Sequence, residues 1–203
     1  MSTSDRAPLV RAPSGADIPL LAVAVLGIGA SAPLIVAIAA PALAIAFWRN
    51  AFGVVALAPW TAARSGDDLR AVWTHPRLRR LVLVAGTALA VHFALWVPAV
   101  TLTSVTAATA LVAIQPVWNA LIARAGGQQV SGRVWAGVGL AVAGALVLTG
   151  LDIGGDPKAM LGNVLALLGG VAAAVYVAVG ARVREQVGTS AYAVSAYSVT
   201  TVQ

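Results

Sequence analysis

The chain has no cysteine, and charged residues make up only 10% of its 203 residues, with Asp and Glu together numbering 7. Without cysteine there are no disulfides and no thiolate metal sites. A soluble domain carries roughly 25% charged residues, so so little charge argues against an ordinary water-soluble fold. The long apolar runs contain no Asp or Glu. Paired carboxylates, an H-E-x-x-H motif and a Gly-rich phosphate loop with its Lys are all missing. Ser31 in "GIGASAP" lacks the second glycine of a G-x-S-x-G turn, and His92 has no acidic partner to orient it as a base. Neither an enzyme, nor a metal site, nor a cofactor is expected.

What the chain does have is apolar sequence. Hydrophobic residues reach 60% and the mean hydropathy is +0.89. Several runs approach or exceed the ~20 residues that cross ~30 Å of hydrocarbon as a helix. They predict spans near residues 18–38, 43–63, 81–101, 103–123, 133–151 and 161–181. A seventh run begins near Ala191 and reaches only Gln203, too short to cross, which predicts a chain that stops inside a helix. The first run, preceded by Arg6 and Arg11 and containing Ala30-Ser31-Ala32, has the outline of a secretory signal. Pro33 is a poor residue to follow a cleavage site and the run continues to Ala40, so an uncleaved span is the better reading.

The net charge of +6 is distributed in a pattern. Arg6 and Arg11 precede the first span; Arg64, Arg70, Arg77, Arg79 and Arg80 separate the second from the third. Arg124 and Arg133 separate the fourth from the fifth, and Arg182 and Arg184 follow the sixth. Arginine thus falls on every second connection, the positive-inside pattern. It predicts a multi-pass plasma-membrane protein with a cytoplasmic tail at 1–17 and cytoplasmic loops at 64–80, 124–132 and 182–190. No basic patch lies outside these flanking segments, so nucleic acid is not an expected partner.

Spans rich in small residues are expected to pack closely, because small faces let backbones approach where lipid removes the hydrophobic drive. Gly137, Gly139 and Gly144 with Ala141 and Ala145 form such a face in the fifth span, and Gly169 and Gly170 do so in the sixth.

Polar residues within the spans carry more information. With 1.5 Å of rise per residue, Arg49 lies roughly 10 Å from the outer end of the second span, His92 roughly 17 Å along the third, and Gln115 roughly 18 Å down the fourth. Asn119 follows one turn later, while Pro33, Pro98 and Pro116 each remove a backbone hydrogen bond inside a span. Freed backbone groups at such depth are tolerated only against protein or a wet cavity, so a cavity among these helices is expected.

Each residue has a plainer alternative. Arg49 is either a cavity residue or a side chain snorkelling to the headgroups. Asn50 and Asn119 are either cavity residues or hydrogen-bond glue between helices. His92 is either a packing residue or a cavity-facing donor. Trp48, Trp60 and Trp96 suit interfacial belts, whereas Trp118 lies too deep for one, and Tyr176 is either a cavity residue or an anchor.

The segment "TSVTAATALVAIQPVWNALIARAGGQQVSGRVWAGVGLAVAGALVLTG", residues 103 to 150, resembles the fourth and fifth helices of an EamA domain, the repeat unit of the drug/metabolite transporter superfamily. The matching pieces are Thr103-Ser104 opening the helix, Ala107 and Ala108, the Gln115-Pro116 break, and the closing helix with Gly137, Gly144 and "VLTG". Arg49 and Pro59 in the second span resemble the family too. Many members carry Gly-Glu after the fourth helix, where this chain reads Gly126-Gly127-Gln128. The resemblance implies an all-α, polytopic membrane bundle: one five-helix repeat over 18–151, then the start of a second, inverted repeat over 161–203. Residues 20–34 and 163–176 share an apolar run, paired glycines and small residues, a weak internal match. The family usually has ten helices, so the resemblance implies a chain that is a fragment of such a protein.

The resemblance further implies a secondary transporter of a small organic metabolite or drug, in the efflux direction, with substrate near the midplane between repeats. The implied partners are the lipid bilayer and a small-molecule substrate, with proton coupling and a homodimer left open. A substrate site of Arg49, Asn50, His92, Trp96, Gln115, Trp118, Asn119 and Tyr176 is expected. A non-transporting structural or assembly subunit of the membrane is the alternative.

Overall fold

The computed structural model describes residue 15 and residues 17–38, 40–149 and 156–203. The expected tail at 1–17, with Arg6 and Arg11, therefore lies almost wholly outside the described residues, as does most of the connection after the fifth span. Eight helical segments are present among the described residues: α1 (Asp17–Ala37), α2 (Ala42–Thr74), α3 (Pro76–Leu102), α4 (Val105–Ala113), α5 (Gln115–Ala125), α6 (Gly132–Thr149), α7 (Pro157–Arg184) and α8 (Thr189–Thr201). Hydrocarbon offers the backbone no hydrogen-bond partner, so these apolar runs satisfy their N–H and C=O groups internally as helix. Segments α4 and α5 together form one span of 21 residues, so six spans are long and apolar enough to cross a bilayer. The chain is a multi-pass membrane protein.

Local sequence sets the ends of these helices. Ser104 caps α4 by accepting a hydrogen bond from the Ala107 amide at 3.0 Å, and Asp156 caps α7 by accepting from the Lys158 amide at 2.9 Å. Proline disfavours helical backbone in the residue before it. His75, which precedes Pro76, is accordingly extended at φ −85°, ψ 115°, and α3 starts at once with Pro76 in its first turn.

That junction corrects the expected loop at 64–80. Apart from a kink at Ser65 (φ −144°, ψ 36°), α2 stays helical to Thr74, and α3 begins two residues later. The polar stretch is helical because it is amphipathic: Val72 is fully buried while Arg64, Asp67 and Arg70 are exposed. The other connections are short, as expected.

Helix α3 is the spine of the bundle, with α7 packed along it and α8 seated across α2 and α3. The α4–α5 span leans on α6 and α7, while α1 touches chiefly α3 and α4. Two apolar cores are strung along α3. One joins Leu78, Val82 and Ala85 to Val72, Val183, Val187, Tyr192 and Val199 at the arginine-rich end. The other joins Phe93, Trp96, Val97 and Val100 to Ala32, Ile35, Ala108, Leu111 and Ala166.

Small residues decide the closest contacts. On α7, a Cβ at Gly162 would lie 2.9 Å from the Thr103 amide nitrogen, whereas one at Gly169 or Gly170 would meet only ordinary contacts at 3.5 and 3.6 Å. The face expected on α6 is different. Nothing lies within 4 Å of a Cβ built on Gly137, Gly139 or Gly144. These glycines do not mediate packing within the described residues, because α6 turns them away from its neighbours.

Candidate functional site

A cavity in two lobes opens between the cores. Its lobes hold about 500 and 580 Å³, within the range of small-molecule sites. Arg49, His92, Gln115 and Ala173 line both lobes, with Ile28 of α1. The first lobe adds Asn50, Phe93, Tyr176 and Tyr197; the second adds Ser31, Trp96, Thr109, Pro116 and Asn119. Of the eight residues expected at a site, seven line this cavity. Trp118 lines neither lobe; it is half-buried and packs on Gly170 of α7.

Arg49 stands at the junction of the lobes. Its guanidinium lies over the Phe93 ring, 4.7 Å from the centroid, a cation–π arrangement. Among the described residues it makes no ion pair and no hydrogen bond, and no carboxylate lines either lobe. The next residue behaves differently. Asn50 is 3% exposed and donates its side-chain N–H to the Ala46 carbonyl of its own helix at 2.8 Å.

His92 is held from two sides. Its Nδ1 lies 2.8 Å from the Gly169 carbonyl oxygen. A carbonyl only accepts, so Nδ1 carries the proton, and in the neutral ring Nε2 is left as an acceptor. The ring also stacks on Trp96 at 5.9 Å and 11°. The bond ties α3 to α7.

Gln115 and Pro116 open α5 at the break in the fourth span, where Ile114 leaves helical geometry (φ −73°, ψ 7°). Proline has no N–H for the ladder, and the Val117 amide falls back on Ile114 at 2.8 Å. The break sets Gln115 into both lobes and Asn119 into the second. Among the described residues, several buried polar atoms of the site have no partner, including Trp96 Nε1, Trp118 Nε1 and Asn119 Oδ1. Tyr176 stacks on Tyr192 at 5.7 Å, and its carbonyl accepts from the Tyr192 hydroxyl at 3.1 Å.

Two aromatic lining residues, Phe93 and Tyr197, escaped the sequence reading. Phe93 adjoins His92, yet no spacing rule pairs it with an arginine more than forty residues earlier. Tyr197 belongs to the short final helix, and its ring packs where a Cβ on Gly53 would come within 3.0 Å. Trp48 and Trp60, by contrast, are exposed on the outer surface of the bundle, as belt residues should be.

A bundle of membrane-crossing helices around a mostly apolar cavity with a few polar side chains defines a polytopic membrane protein of the transporter type. Residues 17–150 match the EamA-like transporter family, and the chain belongs to that family. This is a family of membrane transporters of the drug/metabolite type. No curated protein matches the chain, and no solved structure does.

Proposed function

We propose that the protein is a secondary transporter that moves a small organic metabolite or drug across the plasma membrane, in the efflux direction, with the two-lobed cavity as its substrate site. The observation that carries this reading is Arg49, a permanent cation without a carboxylate partner, held on Phe93 at the meeting point of both lobes. A charge in a membrane helix costs at least ~2.5–3.5 kcal/mol on insertion scales. Such a residue is kept where a wet cavity or a ligand receives it. In this reading His92, Trp96, Gln115 and Asn119 contact the substrate, while Asn50 and Trp118 hold the helices in place.

The test is flux in proteoliposomes against protein-free liposomes, using a panel of labelled small metabolites. Lysine keeps the charge but lacks the planar five-donor fork, so Arg49→Lys is expected to remove most transport while the protein inserts normally. Wild-type flux from the lysine variant would reduce Arg49 to an anchor. No flux of any compound would favour a structural subunit instead.

The arginine-rich ends of the helices belong, in this proposal, on the cytoplasmic side. Cysteines at Gly66 and Gln128 should be shielded in intact cells from an impermeant thiol reagent, whereas one at Ala42 should react. The reverse labelling pattern would invert the orientation.

A further inference from the structure

The chemistry of the cavity wall narrows the substrate class, an inference that rests on the cavity being the substrate site. A cation in a membrane span that lacks a protein anion carries a cost of insertion until water or a counter-charge receives it, even where its side chain is exposed to a cavity. Arg49 is in that position: an aromatic ring is its partner, and none of the described residues lining either lobe is acidic. Its guanidinium offers five N–H donors in a fork that matches a carboxylate, and none of them is engaged by another described residue. A second donor stands on the same wall. Trp96 lines the second lobe and is 7% exposed, and its buried Nε1–H has no partner among the described residues.

Most of the remaining wall is apolar or aromatic, and its other polar side chains, Ser31, Asn50, Thr109, Gln115 and Asn119, are neutral. Phe93 lies beneath the guanidinium, and the stacked His92 and Trp96 rings present flat surfaces beside Val112 and Pro116. One cation at the junction with apolar surface on either side fits one negative group attached to an apolar body. A polyanion would find one arginine where it needs several. An organic cation would face like-charge repulsion with no carboxylate to offset it.

We infer that the cavity selects organic monoanions, small carboxylates with an apolar or aromatic body, with Arg49 clamping the carboxylate and the Trp96 side furnishing the bed for the body.

Binding is the suitable measurement because it does not require flux. The protein would be placed in nanodiscs of zwitterionic phosphatidylcholine, so that no anionic headgroup competes for Arg49. Intrinsic tryptophan fluorescence would then follow titrations with phenylacetate, its neutral isostere phenylacetamide, and phenethylamine. The expected order is phenylacetate tightest by on the order of tenfold or more over the amide, with the amine weakest, as one charge-assisted pair predicts. Arg49→Gln should erase the gap between acid and amide while amide binding stays within about threefold. Arg64→Gln, at a cation stacked on Trp60 outside the cavity, should leave the gap intact. Phenylacetate binding that is undetectable or no tighter than the amide overturns the inference, as does a gap that survives Arg49→Gln. Anion selectivity could fail while flux persists, and flux could fail while selectivity persists, so the two readings fall separately.

Discussion

Helices α6 and α7 carry four glycines each, yet they use them in opposite ways. Every glycine of α7 meets another part of the chain. Gly162 abuts the Thr103 backbone, Gly169 abuts α3, Gly170 abuts α4 and Trp118, and Gly180 abuts the Tyr192 hydroxyl. Every glycine of α6 faces open space, and Leu140, Leu146, Val147 and Leu148 face outward with them. Small-residue spacing shows that a helix is able to pack closely; whether it does so depends on what its neighbours present. At Gly162 and Gly180, Leu102 and Tyr192 fill the space a side chain would need, while at Gly169 and Gly170 a Cβ would make ordinary contact with Trp96 and Trp118. No neighbour supplies such knobs to α6 among the described residues.

This difference also locates the cavity. Where α7 packs along α3, the Gly169 carbonyl comes within reach of His92, which fixes the ring beside Trp96. Two lobes then remain between α1, α2, α3, α7 and the broken α4–α5 span. The packed face of α7 is part of the site's scaffold, and the open face of α6 is not.

The largest effect should follow from filling the tightest glycine of α7 whose neighbour is backbone. A Cβ on Gly162 would stand 2.9 Å from the Thr103 amide nitrogen and 3.0 Å from Leu102 Cβ. Neither is the far end of a flexible side chain, so α7 must move away from the end of α3. Overpacking of this kind costs about 1–3 kcal/mol. Gly162→Ala should therefore lower the midpoint of unfolding in a detergent titration well below that of the wild type. An unchanged midpoint would mean that the α3–α7 contact is looser than this geometry, and the contrast with α6 would lose its basis.

The fold was legible in the sequence because membrane insertion makes each crossing announce itself: about twenty apolar residues, arginine on alternate connections, and a proline at the one broken span. The residues after Arg64 misled for a physical reason. Arg64, Asp67, Asp68 and Arg70 read as a polar loop, yet their spacing leaves Ala71 and Val72 on one side, and that side is buried in the core at the arginine-rich end. The cavity was legible in part. Polar side chains at similar depth on different helices must converge or remain unsatisfied, and Arg49, His92 and Gln115 followed that rule. Phe93 and Tyr197 did not, because an aromatic residue in an apolar span carries no mark of the cation or cavity it will face. The glycines of α6 failed for the same reason, since a small face records what a helix permits and not which neighbour it meets.

The smallest effect is expected on α6 itself. Gly144 sits inside the helix, and nothing lies within 4 Å of a Cβ built there. Leucine at this position meets no steric obstacle within the chain. It also removes the cost of a mid-helix glycine, about 0.5–1 kcal/mol relative to alanine, and leucine is nearly as good a helix former as alanine. In the detergent titration that detects Gly162→Ala, Gly144→Leu should leave the midpoint unchanged or raise it slightly. The same variant should give wild-type flux in proteoliposomes, because α6 supplies no residue to either lobe. A loss of stability in the bilayer that disappears on dilution into detergent would show that this face is covered in the membrane by another surface, such as a second copy of the chain. The four open glycines of α6 would then be a packing face whose partner lies outside the chain, and the contrast with α7 would become one between contacts within a chain and contacts between chains.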